Sequence, residues 1–123
     1  MTARAVLAAY ADRINRQDFD LLTDLVAPDA TFWFSDGTHD GIDAIRAAFE
    51  ATWRIMGPDE QYWLDQHHWI AEGDTAAACT YRYNWKTTFD GKPASGSGRG
   101  TTVLRRVGDR WWIAHEHLSR EPD

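Results

Sequence analysis

The chain has 123 residues, 13 basic against 19 acidic side chains and a formal charge of −6. That size suits one domain over residues 1–123, with room for a core but not for two, and the 43% hydrophobic and 26% charged content is that of a soluble globular protein. Nucleic acid is excluded as a partner because no Lys/Arg cluster is present, and the adjacent pair Arg105-Arg106 splits between opposite faces of a strand.

In chain order, Val6, Leu7, Tyr10 and Ile14 form one stripe of a first helix. After a break at Asn15 to Asp18, the residues Phe19, Leu21, Leu22, Leu25 and Val26 predict a second, shorter helix stopped by Pro28. "ATFWF" (30–34) is a short strand, and "SDGTHDG" is a turn. Asp40 is positioned to cap a third helix, with Asp43 in its first turn. Ile42, Ile45, Phe49, Thr52 and Trp53 carry the helical period to Gly57-Pro58. Four strands follow: "QYWLDQHHWIA" (61–71), "TAAACTYRYNWKTTF" (75–89), "SGRGTTVLRRV" (97–107) and "RWWIAHEHLS" (110–119). Their connections are too short for crossover helices, so neighbouring strands are expected to be antiparallel. The pattern predicts an α+β fold: a curved antiparallel sheet with three N-terminal helices packed on its concave face.

No apolar run approaches the ~18 residues of a membrane span. "MTARAVLAAYADR" is too polar for a signal segment, so no membrane association and a cytoplasmic location are expected. Cys79 is the sole cysteine, which excludes an intrachain disulfide and a cysteine-based zinc cluster. Seven Trp, five Phe and four Tyr are more than a core of this size needs. The surplus points to a pocket wall or an oligomer interface.

The strings "YADRINRQDFDLLTDLVAPDATF" and "GRGTTVLRRVGDRWWIAHEHLS" resemble the SnoaL-like branch of the nuclear transport factor 2-like (cystatin-like) superfamily. The second string is most similar to its ketosteroid-isomerase-homologue and calcium/calmodulin-dependent kinase II association-domain members. The resemblance implies a cone with an internal pocket and a homodimer through the outer sheet face. It does not imply one function, since the fold hosts isomerases, cyclases, dehydratases, hydrolases and assembly domains.

Against the isomerase pattern, Tyr10 matches the oxyanion tyrosine. The base position holds Phe34, with Asp36 two residues on in a turn, and the protonated-Asp position holds Arg99. Two of three positions fail, so ketosteroid isomerisation is not expected. The epoxide-hydrolase pattern fails too, because Thr101 stands where it needs an Asp. His115 and His117 share a strand face and Glu116 takes the other. The histidines have three open readings: a metal pair needing a third ligand, acid–base catalysis, or structural packing. The strand's pocket face also stays open. The isomerase alignment puts Ala114 and Leu118 inside, the apolar stripe favours Trp111 and Ile113, and a bulge would reconcile them. Tyr81, Tyr83 and Trp85 share one face of their strand. Arg99, in "SGSGRGTT", either points into the cone to hold a ligand carboxylate, or lies on a solvated sheet face, or pairs there with Glu116 or Asp65.

The expected protein therefore holds a small apolar or aromatic ligand, with a carboxylate among the candidates. Tyr10, His115 and His117 are the candidate catalytic residues. Phe34, Trp53, Tyr83, Trp85 and Arg99 are the candidate pocket residues. Any chemistry is expected to be acid–base, isomerase-, cyclase- or hydrolase-like, without cofactor or metal. The alternative is a non-catalytic binding or oligomerisation module.

Overall fold

The computed structural model describes residues 1–122. Helix α1 (Ala3–Ile14) begins where the Thr2 hydroxyl accepts a hydrogen bond from the Ala5 N–H, satisfying one orphan donor of the first turn. Its buried stripe is the one the spacing gives: Val6, Leu7, Tyr10 and Ile14. The helix ends at Asn15. The Asn15 amide accepts from the Tyr62 N–H at 2.7 Å and donates to the Tyr62 carbonyl at 2.8 Å, pinning the helix end to a strand distant in sequence.

The expected second helix is not formed. Phe19–Leu22 makes a single 3-10 turn, capped by Asp18, so two α-helices stand where three were expected. Leu25 and Val26 go to the sheet instead: strand β1 spans Val26–Phe34, and the Leu25 carbonyl accepts from the Ile113 N–H at 2.8 Å. Pairing with another strand satisfies these backbone groups, which one further helical turn would leave open. Pro28 lies within that strand rather than ending a helix.

The "SDGTHDG" segment is also more than a turn. Ser35 and Asp36 form a two-residue turn into strand β2 (Gly37–Asp40), which pairs antiparallel with β1. Helix α2 (Ile42–Met56) follows Gly41 at φ 86°, with no side-chain cap, so Asp40 does not cap it; Asp43 does lie in its first turn. Gly57, at φ 81°, ends it. Ile45, Phe49 and Trp53 are its buried face.

Strands β3 (Gln61–Glu72), β4 (Ala76–Phe89), β5 (Lys92–Val107) and β6 (Arg110–Arg120) complete a six-stranded sheet of order β2-β1-β6-β5-β4-β3. The last four strands pair antiparallel as their short connections require. The exception is β1, which joins β6 in parallel, so the sheet is mixed. Both helices pack on its inner face, around Leu7, Leu22, Phe32, Leu104 and Ile113. Among the described residues no helix is long and apolar enough to cross a membrane.

Candidate functional site

The site is decided by one irregularity in β6. Val103 of β5 pairs with His115 and Leu104 pairs with Ile113, so Ala114 has no partner. This bulge breaks the two-residue alternation. Ile113 faces the core before it; Glu116 and Leu118 face inward after it. Each of the two readings of the strand thus supplies one inward residue, Leu118 from the alignment and Ile113 from the apolar stripe.

Glu116 is only 1% exposed. Tyr10 Oη donates to its Oε2 at 3.0 Å and Tyr81 Oη to its Oε1 at 3.2 Å. Tyr81 Oη also lies 2.8 Å from Thr102 Oγ1, on the neighbouring strand. These hydroxyls stabilise the carboxylate and pull its pKa down, but loss of water acts more strongly in the other direction. Burial prevails and the Glu116 carboxyl is raised from 4.5 to about 7. The Tyr10 and Tyr81 phenols are pushed well above their ordinary range, first by burial and then by the charge on Glu116.

A cavity of about 350 Å³ opens beside Glu116, between the sheet and the two helices. Tyr10 and Glu116 stand on its lining, and aromatic side chains make up nearly half of the rest, including Phe34, Trp53, Tyr62 and Trp85. Tyr83 stacks on Tyr62, with ring centres 6.4 Å apart and planes 19° apart. The β4 rings lie flat because β5 opposes them with glycine: Tyr81 faces Gly100, Tyr83 faces Gly98 and Trp85 faces Gly96. A Cβ on Gly96 would lie 2.7 Å from the Trp85 indole, and one on Gly98 or Gly100 would run into the Tyr83 or Tyr81 ring. This close approach is what the "SGSGRG" string provides.

Of the residues singled out from the sequence, Tyr10, Phe34, Trp53, Tyr83 and Trp85 come together around this cavity. Three others do not. His115 and His117 stand on the opposite face of the sheet. His115 Nδ1 lies 2.8 Å from Thr31 Oγ1, and Trp33 sets its edge against both imidazoles at 4.9 and 5.6 Å. Arg99 is on that outer face as well, directly across from Arg82 and in a groove with Thr101, His117 and Ser119. The glycines beside it occupy the inner positions, so of its open readings the inward position and the pairing with Glu116 are not met, and Arg99 lies exposed on the solvated sheet face. Among the described residues no three His, Cys, Asp or Glu side chains gather as a metal site.

Sequence reasoning weighed Glu116 only as a partner for Arg99 and passed over Tyr62, Tyr81 as a hydroxyl donor, and Glu60. The usable signal was the strict opposition of Glu116 to the two histidines. Once the outer face is known to hold the imidazoles, the carboxylate must be inside.

The chain's relatives agree with this geometry at the level of fold. A SnoaL-like domain model matches residues 7–116. A nuclear transport factor 2-like superfamily protein from Salmonella enterica superposes with a TM-score of 0.85 at 20% identity, covering 97% of this chain and 88% of that one. The association domain of CaMKII from C. elegans superposes with a TM-score of 0.77 at 20% identity, covering 94% and 90%. A candidate aromatic ring hydroxylase from Novosphingobium aromaticivorans gives 0.83 at 18% identity, covering 98% and 87%. No curated protein matches the sequence.

Proposed function

The chain belongs to the SnoaL-like domain family, and on that footing we propose that it binds a small, largely apolar or aromatic molecule in the internal cavity and transfers a proton on it through Glu116. The observation that carries this reading is a carboxyl group buried on the wall of an aromatic cavity, held by hydroxyls and titrating near 7. A general base or acid works best when its pKa lies near the operating pH. Near neutrality both forms of Glu116 are populated. Ionised, it accepts a proton from a polarised C–H or O–H of the ligand. Once protonated it no longer needs the Tyr10 hydrogen bond, and the Tyr10 hydroxyl is then free to donate to the ligand oxygen where negative charge gathers. Returning the proton to a different ligand atom gives an isomerisation, and the same pair serves a cyclisation in which the deprotonated ligand atom attacks a carbonyl of the same molecule and the carbonyl oxygen takes the proton. Tyr81 and Thr102 hold Glu116 in place and act as positioning residues.

The test is proton exchange. Small aryl ketones that bind are incubated with the protein in D2O, and loss of the α-proton signal is followed by NMR. Wild type is expected to accelerate exchange and Glu116→Gln to abolish the acceleration. Equal exchange by the two proteins, with binding retained, rejects Glu116 as the proton carrier.

A non-catalytic assembly role rests on a separate observation. Trp33 and Trp63 are 46% and 42% exposed on the outer face of the sheet, and a structurally similar protein is a kinase association domain. We propose a homodimer through this face, a reading compatible with an active cavity. A monomer of 14.0 kDa in sedimentation at micromolar concentration rejects it.

A further inference from the structure

The charge pattern of the cavity says which ligands it takes. Its lining includes three carboxylates, Asp36, Glu60 and Glu116, and no Lys, Arg or His. The three differ in depth: Asp36 is exposed, Glu60 half-buried and Glu116 fully buried. Acidic groups therefore stand both at exposed and at buried positions of the lining. The basic side chains near the cavity stand outside its lining. His39 lies at the rim with its Nε2 3.0 Å from Asp36 Oδ1. Arg13 bonds Asp24 and the Leu21 carbonyl, and Arg46 bonds Asp20. Arg120 lies outside the lining, and Glu121 pairs with Arg82. Arg99, the cation that would have received a carboxylate, is on the far side of the sheet.

We propose that the cavity is selective for ligands bearing a protonated amine on an aromatic or apolar body, and that it rejects carboxylates. This rests on the reading of the cavity as a ligand site. An anionic ligand entering here gives up its water, meets no basic side chain on the lining and approaches like charges; each of these disfavours binding. An ammonium group meets the opposite situation. It has carboxylates to pair with, and the aromatic rings on the lining, Trp53 and Trp85 among them, carry the quadrupole that attracts desolvated cations. The volume of about 350 Å³ is at the small end of ligand pockets, which fits an arylalkylamine of one or two rings. Glu60 is the specificity-determining residue in this scheme, because it is part-buried and lies outside the Tyr10–Glu116–Tyr81 network.

The experiment compares 2-phenylethylamine, 2-phenylethanol and 3-phenylpropanoate by calorimetry at pH 8, above the Glu116 value of about 7. The amine is expected to bind roughly tenfold tighter than the alcohol, equivalent to about 1.4 kcal/mol, and the carboxylate more weakly than either. Glu60→Gln is expected to narrow the amine-to-alcohol ratio. If the alcohol binds as well as the amine, or the carboxylate binds best, the charge selectivity is wrong while the cavity remains a ligand site. If none of the three binds at millimolar concentration, both the selectivity and the ligand-site reading are overturned.

Discussion

Replacing Glu116 with Gln should remove a specific pH dependence of stability. In the unfolded chain this carboxyl titrates at its ordinary 4.5, and in the folded protein at about 7. Between those values the folded state holds a proton that the unfolded state has released. Stability conferred by the neutral carboxyl is therefore complete below 4.5 and falls as the pH rises, until the folded group has also ionised near 7. The gap between 4.5 and about 7, at about 1.36 kcal/mol per pH unit, amounts to about 3 kcal/mol. Glu60, raised by burial, contributes in the same direction. Asp29 and Glu72, lowered by their arginine hydrogen bonds, contribute in the opposite one. All three remain in the variant and cancel in the comparison. The assay is urea denaturation of wild type and Glu116→Gln at pH 5, 6, 7 and 8. Glutamine does not titrate, so the variant should gain on wild type by up to about 3 kcal/mol across that range, whatever its stability at pH 5. A difference between the two proteins that stays constant from pH 5 to 8 would refute the claim that Glu116 is buried against a net desolvation penalty.

Tyr81→Phe removes one hydroxyl that stabilises the Glu116 carboxylate, so the carboxyl should titrate still higher than in wild type, read by carbon NMR of the labelled glutamate. Gly98→Ala places a methyl into the Tyr83 ring and the Ser119 carbonyl and should cost about 1–3 kcal/mol in chemical denaturation, the usual range for overpacking. His115→Ala and Arg99→Gln lie across the sheet from the cavity and should leave the affinity for a cavity ligand within about twofold, as surface changes do; a tenfold loss in calorimetry would place them in the site after all. Trp33→Glu puts a charge on the outer face and should shift sedimentation from dimer to monomer.

Periodicity made the first and last helices and the four C-terminal strands legible, because each has a stripe or alternation longer than one turn or one pair. It misread Phe19 to Val26 because two apolar clusters at helical spacing also fit a 3-10 turn followed by a strand. Only the distant partner, Ile113, decides between them. Strand β2 was hidden by its composition, since Gly37, Thr38, His39 and Asp40 read as turn and carry no apolar face. The cavity's aromatic wall was legible from the alternation of Tyr81, Tyr83 and Trp85. Its acid was not, because a period of two cannot be carried through a bulge whose position depends on both neighbouring strands. The same blindness left the side of Arg99 open. The alignment counted residues along β5, whereas the side of the sheet is set by which residues oppose the β4 rings.

The row of glycines behind Tyr83 and Trp85 makes the wall of the cavity one ring thick. No second layer of side chains lies between those rings and the β5 backbone. Shortening either ring would therefore deepen the chamber directly to the peptide plane, without the chain of compensating changes that a two-layered core demands. The acid sits on a different strand, and its closest partners are Tyr10 and Tyr81 rather than these two positions. The size of the chamber and the position of its acid are thus written in separate residues. A scaffold built this way can change what fits inside it while keeping the same carboxyl to act on it, which gives one physical route by which a single fold comes to serve unrelated molecules.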